Sequence, residues 1–396
     1  MSKNLKPKLQ RLKFNIDVTG ALKRHIIIIL LVLFTAVTRV LLIINAPFIY
    51  HFDSYTYLGR AVDLASNGTI QLGVGMPFVL TLAALLFTFG SSFGSILIAR
   101  FLMLLATAVS VCVIYLLGVK MASKTFGFLA AFLATFEPYF LTYSIVPHND
   151  VFAVAMGLAA LYLAASSVRF HYALAPIFFY FAILTRPEFF LVLVIPILAF
   201  SIAKVLKMRS KRAIRKFAFD LGVYVLPFIW VYSVSKSYTR FNPFEKFALF
   251  LKPELLQFTL DSVFKFYDKE FLNQVFFVFF AMGVGATLLT TAAQFVSVER
   301  KGKAFSIKRK KDKSVKEIFL SDKAIVTLCV FLLFIIDVIV LTVYGMGYAI
   351  VNGTLIIKPW FPDRYLILPR LLTSYPLAYT LSMVVQSFRA QISSQK

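Results

Sequence analysis

The residues best placed to do chemistry are ionisable side chains at the predicted ends of long apolar segments. The acids are Asp53, Glu137, Asp150, Glu188 and Asp363. The basic residues and histidines are His51, His148, Arg186, Lys358 and Arg364. A carboxylate within hydrogen-bond reach of a hydroxyl can take its proton while the oxygen attacks an electrophile. We therefore expect a catalytic base among these acids.

Asp53 is the first acid after the apolar residues 25 to 50, and its position has two interpretations. It could be the catalytic base. It could equally be the N-cap of the next helix, since an Asp oxygen accepts the free backbone N–H groups of a first helical turn. Asp150, which follows Pro147-His148-Asn149, has the same two interpretations.

The other charged candidates also have structural alternatives. Glu137 falls within a predicted span, where a carboxylate is costly unless it is paired or faces a wet cavity. Arg186 and Glu188 could belong to the site or form a structural ion pair, and Arg186 could instead extend to lipid headgroups. Four further residues within or near spans are expected to hold helices together, namely Arg39, Arg100, Asp220 and Asp337.

A metal site is a further alternative for part of this set. Two imidazoles and two carboxylates, from His51, His148, Asp53 and Asp150, are chemically adequate ligands for a divalent metal. Isolated histidines at a membrane interface more often serve as hydrogen-bonding residues. We therefore predict no cofactor and no resident metal.

The composition places these residues in a membrane protein. Of 396 residues, 60% are hydrophobic and 15% are charged, and the mean hydropathy is +0.81. Soluble domains carry about 45–50% apolar and about 25% charged residues. The net charge of +24 comes from 42 Lys and Arg concentrated in short segments between apolar runs, which is typical of membrane topology rather than nucleic-acid binding. The sequence has no CxxC, no HExxH and no Gly-rich phosphate loop, which argues against a zincin and a nucleotide-driven pump.

The charge distribution predicts the orientation of the spans. Residues 1–24 are basic and expected to be cytoplasmic, so the first span, 25–46, delivers Asp53 to the outer face. The apolar run 76–89 is too short to cross ~30 Å of hydrocarbon. If it stays outside, the later spans are 95–118, 125–143, 150–167, 172–185, 189–203, 217–235, 271–295, 324–345 and 364–388. Most of the 42 Lys and Arg are then cytoplasmic, as the positive-inside rule favours.

These patterns predict an all-α polytopic membrane protein with about ten transmembrane helices and interfacial amphipathic helices on the outer face. One amphipathic helix is expected over 54–66, stopped by Asn67-Gly68, and others in the outer loop 236–270. Two basic cytoplasmic loops are expected, at 204–216 and 299–323. They divide the chain into a transmembrane module, 25–203, and a second one within 217–396. The sequons at Asn67 and Asn352 then both lie outside.

Three short signatures resemble the GT-C superfamily of integral-membrane glycosyltransferases. They are His51-Phe52-Asp53 after the first span, Glu137-Pro138-Tyr139 leading to Pro147-His148-Asn149-Asp150, and Thr185-Arg186-Pro187-Glu188. The chain is most similar to the branch of protein O-mannosyltransferases and lipid A aminoarabinose transferases. The resemblance covers residues 30–200, and Arg364-Tyr365 resembles the Arg-Tyr that often starts the final helix of that family.

The resemblance implies a membrane glycosyltransferase. Such an enzyme moves a sugar, most often a mannose-like hexose, from a polyprenyl or dolichyl phosphate to a glycan, protein or lipid acceptor on the outer or lumenal face. The reaction inverts the anomeric carbon. The membrane would be a prokaryotic plasma membrane or one of the endoplasmic-reticulum type.

The resemblance also assigns roles to residues of this chain. Asp53 matches the catalytic carboxylate, and Asp150 matches an acid that helps to arrange the acceptor or donor. Arg186 and Arg364, with Lys358 as a weaker third, are the candidates for stabilising the charge on the leaving phosphate. Supporting roles are expected for Glu188, Glu137, His51 and His148. The chain departs from the family by having Asp53-Ser54 where many members have Asp-Glu.

Two other classes of function remain alternatives. A transporter or lipid flippase would also use about ten spans with charges inside the membrane. The halves of this chain show no convincing repeat, and its carboxylates gather at one face rather than at mid-depth. A non-catalytic membrane scaffold would leave the clustered acids without a purpose.

Overall fold

The computed structural model describes most of the first half of the chain and parts of the second. The described residues are 18–45, 52–70, 75–90, 94–166, 168–208, 210–227, 229, 296–301, 304–309, 321–351, 354–359, 367–379 and 381–382. The predicted outer loop 236–270 and the predicted span 271–295 lie outside them.

Helices form the body of the described structure. In chain order the first ten are α1 (Val18–Asn45), α2 (Phe52–Asn67), α3 (Met76–Phe89), α4 (Ser95–Met121), α5 (Lys124–Thr135), α6 (Pro138–Tyr143), α7 (Asn149–Ala164), α8 (Arg169–Thr185), α9 (Phe189–Met208) and α10 (Lys211–Tyr224). Two more follow, α11 (Asp322–Gly345) and α12 (Ile367–Leu372).

Two antiparallel hairpins accompany the helices. The first pairs β1 (Val296–Lys301) with β2 (Ala304–Arg309), and the second pairs β3 (Met346–Val351) with β4 (Thr354–Pro359). The first hairpin falls across the start of the segment 299–323, which the sequence predicts as a basic linker. The alternating Val296, Val298 and the run Phe305 to Ile307 favour strands locally.

The sequence explains several helix ends directly. Helix α2 stops at Asn67 because Gly68 takes a positive φ of 66°, and its N–H donates to the Leu64 carbonyl at 3.1 Å. Helix α3 starts after Gly75, with Pro77 in its first turn, where proline's missing N–H costs nothing. Helix α10 starts after Ser210, whose hydroxyl accepts from the Ala213 N–H at 3.2 Å.

Three of the described helices are long and apolar enough to cross a membrane. They are Ile26–Asn45 within α1, α4 and α9. Four shorter apolar helices accompany them, namely α3, α5, α7 and α8 with its first residue excluded. The membrane character of the chain is thus supported. Ten spans are not confirmed, because the four shorter helices have fewer than the ~20 residues that a membrane span needs.

One predicted span is interrupted in the structure. The sequence predicts a single helix over 125–143, but the chain breaks between α5 and α6 at Phe136 and Glu137. Pro138 causes the break, because proline lacks the N–H for a helical hydrogen bond and pushes the preceding residue out of the helical region. Glu137 accordingly has ψ 122° and accepts from the Phe140 N–H at 2.6 Å, which starts the next helix.

The predicted basic loop 204–216 is also mostly wrong. Helix α9 continues to Met208 and α10 begins at Lys211, so most of this segment is helical. Lysine and arginine are good helix formers, and Ser210 supplies the cap, so charge alone did not mark a loop here.

Helix α7 is the centre of the bundle, and it packs against α4, α8 and α9. Small residues allow this close packing: a Cβ on Gly157 would lie 3.2 Å from the Phe189 ring. Helices α4 and α5 meet at Gly118 and Gly127, where an added Cβ on Gly118 would come within 2.6 Å of the Gly127 Cα. Helix α9 packs in turn on α10 and α11.

Polar residues join several of these helices. The guanidinium of Arg39 in α1 donates from Nε to the Ser144 hydroxyl at 3.0 Å, and it lies over the Phe140 ring. The Ser201 hydroxyl of α9 donates to Asp220 of α10. These contacts agree with the predicted role of Arg39 and Asp220 in holding helices together. Proline also occurs inside two helices, at Pro176 in α8 and Pro196 in α9.

Candidate active site

The candidate site lies where four helix ends meet. Asp53 stands in the first turn of α2, His148 is the N-cap of α7, and Asp150 is in the first turn of α7. Arg186 is the C-cap of α8, and Glu188 immediately precedes α9. Residues from distant parts of the chain are thus brought to one end of the bundle, as the sequence predicts.

His148 joins the two aspartates that the sequence singled out. Its Nδ1 lies 2.8 Å from Oδ2 of Asp150, and its Nε2 lies 3.4 Å from Oδ2 of Asp53. Its own side chain is almost fully buried, at 1% exposure. One imidazole therefore bridges the start of α2 and the start of α7.

The proton positions on His148 follow from these contacts. The backbone N–H of Asp150 also lies 3.3 Å from Nδ1, and a protonated Nδ1 could not accept from it. The carboxylate contact is shorter and is charged, so we place a proton on Nδ1 that is donated to Asp150. A second proton on Nε2 then completes an imidazolium that donates to Asp53.

The electrostatics of the site favour this imidazolium. Burial lowers the pKa of His148, and the charge of Arg186 lowers it too. The charge and hydrogen bond of Asp150, with the hydrogen bond of Asp53, outweigh these effects and raise the pKa above the ordinary 6.5. His148 is thus charged over a wider pH range than a histidine in water.

Arg186 continues the chain of charges beyond Asp150. Its Nη2 pairs with Oδ1 of Asp150, and its Nε lies 3.1 Å from Oε1 of Glu188. All three side chains are buried. The headgroup-seeking alternative for Arg186 is wrong, because its guanidinium is directed into the protein and is engaged by two carboxylates.

The five charges alternate in sign along the chain of contacts. His148, Asp150, Arg186 and Glu188 are all buried, and their charges sum to zero when His148 is protonated. Asp53 carries the remaining negative charge, and its side chain is 34% exposed. The surplus charge therefore lies on the one member of the set that a ligand can approach.

Neither aspartate occupies an N-cap position. Asp53 is the second residue of α2, and the N-cap of α7 is His148 rather than Asp150. The capping interpretation of both residues is thus not supported, although acids in a first turn still interact favourably with the helix dipole.

Two residues at the site were not identified from the sequence as part of it. The Tyr57 ring lies edge-on to the His148 ring at 5.7 Å between centroids, and a second edge contact ties it to Phe78. Gly75 leaves room for this ring, since a Cβ there would lie 2.6 Å from Tyr57 Cε1. Gly75 also has a φ of 84°, a backbone conformation that glycine adopts without strain. Both the backbone and the neighbouring ring therefore favour glycine here. A glycine just before Met76-Pro77 was the available signal.

Asn149 also contributes to the site, although the sequence analysis gave it no role beyond its place in Pro147-His148-Asn149-Asp150. It is fully buried, and its Nδ2 donates to the Thr185 carbonyl at 3.3 Å. Since Thr185 is the last residue of α8, this bond fixes the end of α8 against the start of α7. It thereby sets the position of Arg186 relative to Asp150.

The other predicted residues have three different outcomes. Glu137 belongs to a buried polar network around Arg39, on which its charge acts. Lys358 lies in β4, opposite Gly347 of β3. His51, Asp363 and Arg364 are outside the described residues. Among the residues that are described, no three His, Cys, Asp or Glu side chains are arranged to hold a metal ion.

The geometry is compatible with general-base chemistry. It offers one partly exposed carboxylate, oriented by a buried imidazolium that is itself fixed by a second acid. The sequence of the chain matches no protein-family model and no curated protein.

Proposed function

We propose that the chain is a membrane glycosyltransferase that moves a sugar from a polyprenyl- or dolichyl-phosphate donor to a hydroxyl group of a glycan, protein or lipid acceptor. Asp53 acts as the base, and the displacement inverts the anomeric carbon. The single observation that carries this proposal is the placement of Asp53. It is the partly exposed carboxylate at the end of an otherwise buried and neutral chain of charges.

The role of Asp53 follows from its exposure and its partner. A base must reach the proton that it abstracts, and 34% exposure leaves the carboxylate accessible. The His148 Nε2 lies 3.4 Å from Oδ2 and so holds the carboxylate in place. His148 therefore acts as a positioning residue.

Asp150 and Arg186 act through His148 in this proposal. Asp150 holds the imidazole ring by Nδ1, and Arg186 holds Asp150. Because two carboxylates already engage Arg186, its part is to fix Asp150 rather than to meet the donor phosphate first. The charge that grows on the leaving phosphate then falls to Lys358 and Arg364, which stay candidates from the sequence.

The membrane setting suits a lipid-linked donor. Helix α1 exposes a continuous apolar face that includes Leu30, Leu33, Val37 and Leu41, and the chain then leads to α2 and Asp53. A donor with a long hydrocarbon tail can approach along such a face by lateral diffusion. The proposed orientation places the Asp53 end at the outer or lumenal side.

The test is a transfer assay on membranes that contain the full chain. Membranes are incubated with polyprenyl phosphates carrying labelled hexoses, and label is followed into lipid, glycan and protein fractions. We expect Asp53→Asn to lower the rate by roughly 10²–10⁴, the usual contribution of a positioned base. The amide keeps the size of the side chain and removes its basicity.

Asp63→Asn is the matched control, since Asp63 is another acid of α2, ten residues further along the helix. It should leave transfer unchanged at equal protein level. Equal transfer by wild type and Asp53→Asn would remove Asp53 as the base. If lipid moves across the membrane of sealed vesicles and no sugar is transferred, the chain is a flippase and the proposed transferase function is wrong.

A further inference from the structure

Three lysines converge at the end of the bundle that is opposite Asp53 and His148. Lys120 lies in the last turn of α4, Lys204 is close to the end of α9, and Lys216 is in α10. All three are partly buried. Helix α10 packs against both α8 and α9, and the charge of Lys204 acts on Lys216 as well as on Lys120.

Each of these amines is held over an aromatic ring. The distances from Nζ to the ring centroid are 4.2 Å for Lys120 over Tyr162, 4.3 Å for Lys204 over Phe200 and 3.7 Å for Lys216 over Tyr172. The Lys120 Nζ also donates to the Ala165 carbonyl at 3.2 Å. The cations are therefore fixed by rings and a carbonyl rather than by carboxylates.

The positive charge of this cluster is not neutralised within the described structure. Asp322, whose charge acts on Lys204, forms its ion pair with Lys207 at 2.9 Å, and its side chain is 83% exposed. Among the described side chains, no carboxylate forms an ion pair with any of the three lysines. Burial, and then repulsion by Lys204, lower the pKa of Lys216 to about 8. An anion would relieve this repulsion.

The cluster lies about 24 Å from the candidate active site along the helices that connect the two. Helix α7 begins beside His148 and ends at Ala164, next to the carbonyl that Lys120 binds. Its 16 residues span about 24 Å at 1.5 Å per residue. In α9, Lys204 is 16 residues beyond Glu188, which is again about 24 Å and approaches the ~30 Å of a hydrocarbon core. The lysines thus stand at the level of headgroups if Asp53 stands at the opposite interface.

We propose that Lys120, Lys204 and Lys216 form a binding site for a phosphate group. Either the headgroup of an anionic lipid or a soluble phosphate can supply this chemistry. The position of the lysines at headgroup level favours the lipid. The site is independent of the proposed transferase chemistry, since it lies at the other end of the bundle.

The test measures thermal unfolding of the full chain, purified in a neutral detergent, while anion is titrated. One arm adds phosphatidylglycerol, a second adds phosphatidylcholine, and a third adds inorganic phosphate. The variant Lys120→Gln/Lys204→Gln/Lys216→Gln removes the three charges. The control Lys124→Gln/Lys211→Gln/Arg215→Gln removes three exposed charges from the same end.

We expect phosphatidylglycerol to stabilise wild type and the control at a concentration roughly 100-fold below that needed by the triple variant, from about a fivefold effect per lysine. Phosphatidylcholine should have no lysine-dependent effect. A lysine-dependent shift with inorganic phosphate equal to that with lipid would support the site and assign it to soluble phosphate. Without anion, the triple variant should be at least as stable as wild type, because repulsion has been removed.

Equal titrations for the triple variant and the control would overturn the proposal. If the triple variant does not fold, the titration is repeated with the single variant Lys204→Gln, because the charge of Lys204 acts on both other lysines. A roughly fivefold weaker effect of phosphatidylglycerol would support the site. An unchanged titration would overturn it.

Discussion

The buried charges of the site predict how Arg186 contributes to stability. In wild type, Arg186 pairs with Asp150 and with Glu188, and all are buried. Replacing it by methionine keeps much of the side-chain volume but leaves two buried carboxylates. Asp150 retains His148 at 2.8 Å, so most of the cost falls on Glu188.

The magnitude follows from removing one partner of a buried ion pair. Such a change costs about 3–5 kcal/mol, because the remaining charge is buried without compensation. We expect Arg186→Met to lower the free energy of unfolding by about this amount. The double variant Arg186→Met/Glu188→Gln removes one charge of each sign, so it should recover about 1–3 kcal/mol of the loss.

The assay is equilibrium unfolding of purified protein in mixed micelles, followed by circular dichroism as denaturing detergent is added. Arg215→Met is the control, since Arg215 is exposed on α10 and should change stability by less than about 0.5 kcal/mol. A cost below about 1 kcal/mol for Arg186→Met would refute the reasoning. A double variant less stable than Arg186→Met would refute it equally, because neutrality would then not be what the buried residues maintain.

Two further predictions concern the same site. The folded-state pKa of His148 is raised above 6.5, so its contribution to stability is complete below pH 6.5 and is lost as pH rises through the folded pKa. The stability advantage of wild type over His148→Gln, measured by unfolding at each pH, should therefore shrink as pH rises; an advantage that grows would contradict this. Gly75→Ala should cost about 1–2 kcal/mol for its positive φ and lose further stability and transfer through displacement of the Tyr57 ring. Gly68→Ala, with φ 66° and open space, should show the backbone cost alone, and equal effects at both glycines would exclude the ring.

The sequence predicted the helices best where a strong local signal coincided with an apolar run. The limits of α3 agree with the prediction, because Gly75 and Gly90 bracket an uninterrupted apolar segment. The start of α2 near Asp53 and its end at Asn67 were also predicted closely. In these cases the residues that end the helix are the ones whose backbone preferences are strongest.

The errors have equally local causes. Hydropathy alone joined α5 and α6, although Pro138 was present to break them. Charge alone suggested a loop at 204–216, although lysine and arginine favour helices as well as water. The hairpins were missed since short alternating segments are weak signals beside long apolar runs.

The sequence predicted which residues form the candidate site better than it predicted the contacts between them. The helix-end positions of Asp53, Asp150 and Arg186 could be read from the apolar pattern, and the contact between them depends on helix packing. No spacing in the sequence indicates that His148 bridges the two aspartates or that Asn149 holds the end of α8. The contact of Tyr57 with His148 depends in the same way on how α2 lies against α7.

The prolines inside α8 and α9 have a mechanical consequence. Each removes one backbone hydrogen bond near the middle of its helix, at Pro176 and Pro196, and so creates a point where bending needs less energy. The turn that carries Arg186 and Glu188 connects these two helices. Each helix can thus accommodate a displacement at its far end, near the lysines, by flexing at its proline while the half next to the turn stays in place.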